Sequence, residues 1–222
     1  MDGVWAIVPA AGSGMRLGAS VPKAFVEIGS RPMLHHAVIS LAGQGVRHFI
    51  IALPPQFSAP PMPVGDFEIL TVPGGEQRQD SVLNAAALLP SSYGAVLIHD
   101  AARPWLRDGL IADLLAAAKD RGAAVPVVAV ADTLKAVSDG LVLRTVPREG
   151  LAGVQTPQCF CASLFSRMLP LYRDMAVTDD CAIAEALGER PAAVPGSPLS
   201  FKVTTPHDLR LATLLFSGEA RA

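Results

Sequence analysis

Apolar residues along this chain fall in short, nearly unbroken runs separated by stretches of helical periodicity. The runs cover 4–9, 48–53, 67–72, 95–99 and 123–131. Between them, 32–44, 80–89 and 109–121 place apolar residues at helical spacing. Strands that do not alternate apolar with polar residues are those covered on both faces. Strand–helix alternation of this kind predicts an α/β fold with a mostly parallel sheet. Right-handed crossovers then bring the loops after the strands to one edge, where such folds bind ligands.

The stretch 132–146, DTLKAVSDGLVLRTV, breaks that style. Two short strand-like pieces flank Ser138-Asp139-Gly140, and Asp-Gly is a strong hairpin signal. A lone hairpin is marginal in water, so this one should lean on the body or on a second subunit. An arm embracing a partner chain is the favoured expectation. Further on, 162–171 and 179–187 read as helices and 201–204 as a short strand. Thr205-Pro206 reads as an N-cap and first residue of a last helix ending near Leu215. The proline-rich stretch 54–65 is a surface loop, since similar strands lie on both sides.

Composition narrows the partners. The chain has 222 residues, enough for one domain with a full core. A formal net charge of −2 argues against a nucleic-acid binder but allows a local cation cluster for a small anion. No run approaches a membrane span, and Asp2 stands where a signal peptide carries positive charge, so a cytoplasmic protein is expected. Cys159, Cys161 and Cys181 are odd in number and lack zinc spacing, which predicts free thiols.

The chemistry concentrates in loops that follow strands. Residues 6–23, AIVPAAGSGMRLGASVPK, run from a strand into a glycine-rich turn with Gly12 and Gly14, then Arg16 and Lys23. Such a backbone can face a polyphosphate with its N–H groups, with two cations at the mouth. Neither a dinucleotide fingerprint nor a Walker loop is present. A second strand ends in His99-Asp100 and continues to Arg103; a carboxylate there suits a Mg²⁺–triphosphate. His99 alone reads as a packed histidine. After a third strand, Gly74-Gly75 exposes backbone, with Asp80-Ser81 read as the start of a helix. Thr133, Lys135, Arg148, Thr156, Thr178 and Lys202 add hydroxyls and cations in other loops.

Taken together, PAAGSGMRLG…PK, GGEQRQDSV, HDAARP, DTLK, TPQCF, TDD and FKVT resemble, in order and spacing, the 2-C-methyl-D-erythritol 4-phosphate cytidylyltransferases. The resemblance runs from Val8 to about Leu211. It implies one Rossmann-like nucleotidyltransferase domain over 1–222, glycosyltransferase-A-like, with 132–150 as a dimerisation β-arm. It implies CMP transfer from CTP to 2-C-methyl-D-erythritol 4-phosphate with Mg²⁺ or another divalent cation, in a homodimer. Arg16, Lys23, Asp100 and Lys202 are then catalytic, with Asp100 placing the metal. Ala10, Ala11, Gly12, Gly14, Gly75, Glu76, Ser81 and Ala101 hold CTP. Arg103, Thr156, Thr178 and Lys202, with Thr133 and Arg148 from the partner's arm, hold the acceptor. The rivals are a cytidylyltransferase for another polyol phosphate, such as ribitol 5-phosphate, more distantly a sugar-nucleotide pyrophosphorylase using another triphosphate, and a CTP-binding module without turnover. Ser200 stands where the family often has asparagine, which leaves open how Lys202 is supported.

Overall fold

The computed structural model describes residues 3–216 except 13, 15, 16, 19, 20, 59, 63, 64 and 176. Arg16 therefore lies outside the described residues.

The apolar runs become β1 (Val4–Pro9), β4 (His48–Leu53), β5 (Glu68–Pro73), β6 (Ala95–Ile98) and β7 (Ala123–Ala129). β2 (Glu27–Ile28) and β3 (Arg31–Pro32) form a small separate ribbon. With β10 (Ala152–Val154), β11 (Gln158–Cys161) and β12 (Ala192–Pro195), eight strands among the described residues form one sheet whose main path is β10-β7-β11-β6-β1-β4-β5, with β12 pairing onto β7. β1 pairs in parallel with both β4 and β6, and β5 continues in parallel beyond β4.

Successive residues of β1 serve opposite faces. Val4, Ala6 and Val8 join Leu34, Val38 and Leu41 of α1 (Met33–Gly43) and Leu110, Ile111 and Leu114 of α3 (Leu110–Arg121). Trp5 and Ile7 join Val82 and Ala85 of α2 (Arg78–Ala86) and Leu164, Phe165 and Met168 of α4 (Ala162–Met168). Both pleat faces are covered, which is why the strand carries no polar alternation.

Three strands escape the apolar pattern. β10, β11 and β12 span at most four residues each. β11 runs antiparallel between β6 and β7, so the sheet is mixed as well as mostly parallel. Phe201–Thr204, expected as a strand, is an extended crossing held by the bond from Val203 N–H to Ala102 O (2.9 Å). It passes over the loop after β6 instead of running alongside a strand. α4 stops at Met168, and Pro170, which lacks an N–H, opens a 3₁₀ turn at Leu171–Arg173. α5 is Cys181–Ala186, shorter than read, because the Asp179 carboxylate caps it through Ala182 N–H (3.2 Å). α6 (Pro206–Phe216) opens as read, with Thr205 Oγ1 accepting Asp208 N–H at 3.2 Å. Cys159, Cys161 and Cys181 are all free.

The arm is β8 (Leu134–Ser138) against β9 (Leu141–Val146). Asp139 and Gly140 turn it with φ of 51° and 78°, the positive values a two-residue hairpin turn requires. The two strands form a sheet of their own. Val137, Leu141, Val142 and Leu143 are each more than 60% exposed, at 61%, 67%, 64% and 63%.

Candidate active site

Between β1 and β6 the chain order reverses: β4 and β5 build outward on one side of β1, and β6 starts the other. Loops after adjacent strands part at such a point and leave a crevice. A cleft of about 400 Å³ lies there. Ala10, Ala11, Gly12, Gly14, Lys23, Gly75, Glu76, Ser81, Asp100, Ala101 and Lys202 all line it. Four loops of distant sequence thus meet.

The loop after β1 folds back on itself: Leu17 N–H donates to Gly14 O (2.8 Å) and Lys23 N–H to Gly12 O (3.2 Å). That return carries Lys23 to the cleft. The loop after β5 packs against it without clearance. A Cβ on Gly74 would stand 2.3 Å from the Ala11 Cβ, so only glycine lets the two loops meet. Ser81 Oγ accepts Gly75 N–H (3.1 Å) and donates to Gln77 O (3.3 Å), which fixes the loop's exposed backbone. α2 begins at Arg78 with Gln77 as N-cap, two residues earlier than read. Asp80 sits inside its first turn, where its carboxylate accepts Gln77 N–H (2.9 Å).

Asp100 is the electrostatic hub. Its Oδ1 accepts from Arg78 Nε (3.2 Å), its Oδ2 lies 2.8 Å from Lys202 Nζ, and Arg103 Nε is 3.8 Å from Oδ2. Burial pushes its carboxyl up, but Arg78, Lys202 and Arg103 together outweigh that and hold it well below the usual carboxylate range. Arg103 lies beside the cleft lining. Burial lowers its own affinity for a proton, with Asp100 acting in the opposite sense.

Lys202 reaches Asp100 from a segment clamped at both ends. Arg103 Nη1 donates to Ser200 O (2.7 Å), Gln155 Nε2 donates to Ser197 O (2.7 Å), and Val203 N–H binds Ala102 O. The clamps use main-chain oxygens, so serine in place of asparagine at position 200 leaves Lys202 supported.

Behind Asp100 runs a chain of hydrogen bonds. Asp100 N–H donates to Thr156 Oγ1 (3.1 Å), and Thr156 Oγ1 lies 3.1 Å from His99 Nδ1. His99 Nε2 lies 3.0 Å from Arg103 O. A carbonyl only accepts, so Nε2 carries the proton and Nδ1 receives the Thr156 hydroxyl. His99 is a packed, neutral histidine. Thr156 is buried against Asp100 rather than lining the cleft.

Burial depresses the His99 pKa from 6.5 to about 4. Between those values the unfolded chain binds more protons, so stability falls as pH drops through that window. The loss reaches about 2–3 kcal/mol at pH 4.5. His99→Gln keeps a donor for Arg103 O and removes the titration. Denaturant melts at pH 7 and 4.5 should show a smaller acid loss in the variant than in the parent protein; equal losses would assign the decline elsewhere.

Thr133 and Arg148 stand at the base of the arm, both exposed and away from the cleft lining, with Arg148 Nη1 donating to Ala131 O. Thr178 is exposed beside Asp179 and Asp180.

Arg78, Asp180 and Tyr172 form a cluster that the sequence analysis does not assign. Arg78 gives Nη1 to Asp180 Oδ1 (2.9 Å) and Nη2 to Asp180 Oδ2 (2.7 Å), while Tyr172 Oη donates to Asp180 Oδ1 (2.9 Å). A signal was available. The first turn of a helix favours acids, so an arginine opening α2 needs carboxylates nearby.

Comparison with known proteins agrees with this geometry. A family model described as 2-C-methyl-D-erythritol 4-phosphate cytidylyltransferase matches residues 4–217. A relative of that name from Frankia casuarinae is 43% identical over 217 residues, covering 96% of this chain and 81% of its own length. Another from Nocardia farcinica is 41% identical over 223 residues, covering 98% of this chain and 95% of its own length. The crystal structure of the enzyme of that name from Thermus thermophilus superposes with a TM-score of 0.82 at 35% identity, over 98% of each chain. This chain belongs to the 2-C-methyl-D-erythritol 4-phosphate cytidylyltransferase family.

Proposed function

We propose that the cleft at the carboxyl edge of the sheet carries out the family's reaction, transfer of CMP from CTP to 2-C-methyl-D-erythritol 4-phosphate. The observation that carries the reading is the convergence of Lys23, Asp100 and Lys202 with the backbone of the loops after β1 and β5 on one cleft. An oxygen of the acceptor's phosphate attacks the α-phosphorus of CTP in line. The bond from that phosphorus to the bridging oxygen breaks, and pyrophosphate leaves with the electron pair. Both reactants are anions, so positioning and charge neutralisation supply the catalysis.

Each residue has a task in that step. Backbone groups of Ala10, Ala11, Gly75 and Glu76, with Ser81, read cytosine; Ala101 lies against the ribose. Gly12 and Gly14 let main-chain N–H groups approach the triphosphate. Lys23, with Arg16, meets charge building at the five-coordinate phosphorus. Lys202 and Arg103 draw in the acceptor phosphate, with Thr178 on the same side and Thr156 behind them holding the Asp100 main chain.

A divalent cation fits this donor set in one way. Asp100 is the buried carboxylate that lines the cleft, and no cluster of three ligating side chains occurs among the described residues. Mg²⁺ is commonly held by one or two carboxylates plus substrate phosphates, so Asp100 with triphosphate oxygens would hold it. Bound there, it withdraws charge from the triphosphate.

The arm supports a homodimer. A hairpin that pairs only with itself and exposes Val137, Leu141, Val142 and Leu143 gains by covering them on a second copy. Thr133 and Arg148 would then enter the partner's cleft. We place the chain in the cytoplasm, where its free thiols would stay reduced.

Pyrophosphate release tests the reading. With Mg²⁺ and methylerythritol phosphate, CTP should turn over at least about 100-fold faster than UTP, ATP or GTP. An equal rate with ribitol 5-phosphate would move the assignment to another acceptor. Binding of CTP without release would leave a non-catalytic module.

A further inference from the structure

Arg78 opens α2 directly after the loop that lines the cleft at Gly75, Glu76 and Gln77. All three guanidinium nitrogens have carboxylate partners: Nε with Asp100, Nη1 and Nη2 with Asp180. The Asp180 side chain has no exposed surface and is also bound by the Tyr172 hydroxyl. Gln79 Nε2, in the first turn of the same helix, donates to Tyr172 O (2.9 Å) and ties helix and tyrosine together again. Burial works against the charge on Arg78, but Asp180 and Asp100 outweigh it and keep the guanidinium protonated.

We propose that Arg78, held by Asp180 and Tyr172, is a positioning residue that fixes the Asp100 carboxylate and through it the ammonium of Lys202. The inference rests on reading Asp100 and Lys202 as parts of the transfer site. Its logic is the division of one cation between two acids. Asp100 has two oxygens, and Arg78 occupies Oδ1, so Lys202 meets only Oδ2. An incoming phosphate dianion can then take Lys202 while Asp100 keeps Arg78 as its partner. Without the guanidinium, Asp100 turns both oxygens to Lys202 and Arg103 and competes with the acceptor for them. A planar fork spans two separate carboxylates with its N–H groups in fixed directions; the ammonium of a lysine is a compact point charge without that span.

Arg78→Lys retains the charge, which stays with the buried Asp180, and leaves Asp100 unbraced. The expected result is a fall in kcat/KM for methylerythritol phosphate of about tenfold, with CTP affinity within about twofold. A double-mutant cycle with Asp100→Asn separates this from a structural role. If Arg78 acts through Asp100, Arg78→Lys has almost no further effect in the Asp100→Asn background. Additive losses, or a loss confined to CTP binding, would overturn the proposal. Should Arg78→Lys melt far below the parent, Tyr172→Phe takes its place in the same cycle. That variant removes only the hydroxyl that helps hold Asp180, and a smaller acceptor-specific loss, again absent beside Asp100→Asn, is expected. An additive loss from it would reject the brace. An inactive parent protein would sink the transferase reading itself, whereas an active parent with additive variants sinks only the brace.

Discussion

Lys23→Ala is expected to lower kcat by about 10³-fold while leaving CTP affinity within about threefold. The asymmetry follows from where the side chain stands. In the proposed binding mode main-chain groups of the loops after β1 and β5 grip CTP along its length, so losing one ammonium would remove a small share of ground-state binding. Those loops are also held by contacts that do not use the lysine side chain. Gly74 abuts Ala11, Ser81 fixes Gly75, and Lys23 N–H closes onto Gly12 O through the backbone, which alanine retains. In the transition state two anions share one phosphorus, and negative charge builds on the bridging oxygen as pyrophosphate departs. A cation at that point is worth more than in the ground state, because the site is partly closed to water. Pyrophosphate release at saturating CTP gives kcat, and a binding titration without acceptor gives the affinity. Parallel losses in both would make Lys23 a binding residue alone.

How far the sequence foretold this site depends on which force sets each part. Long apolar runs are legible because hydrophobic burial imposes them along the chain. β1 and β4 occupy the residues read for them, and their loops fall where the sheet's direction requires. Ends set by side-chain hydrogen bonds are less legible. Asp80 was read as a start signal for α2 and instead closes onto Gln77 from inside the first turn. β11 is four residues long and defined by the two strands it slips between, so nothing local announces it. Lys23, Asp100 and Lys202 are legible as candidates because each sits in a loop with other signals, and all three line the cleft. The pairing of Arg78 with Asp180, itself a candidate within the TDD motif, escapes because it is a contact across 102 positions of sequence. Thr156 was placed on the acceptor's side, yet its hydroxyl is engaged by Asp100 N–H and His99.

Mixing two impaired variants should restore activity at an acceptor concentration near the parental KM. The proposed acceptor site takes Lys23, Asp100 and Lys202 from one subunit and Thr133 and Arg148 from the arm of the other. Arg148→Ala should then raise the KM for methylerythritol phosphate by about 100-fold and leave CTP affinity unchanged, since the proposed arginine–phosphate contact would be lost. Lys23→Ala damages the other half of the site. In a heterodimer of the two, one cleft carries both lesions and the opposite cleft carries neither. Random pairing after co-expression makes half the molecules heterodimers with one intact cleft of two, so about a quarter of parental activity should return. Neither variant alone can supply it. Mixtures that never exceed the sum of the separate variants would mean that Arg148 serves its own chain or no site at all. Restoration should also vanish when Leu141 and Leu143 are replaced by glutamate in both chains. Those side chains are 67% and 63% exposed here, so their charge disturbs no core of the single chain and only opposes the arm's burial on a second copy.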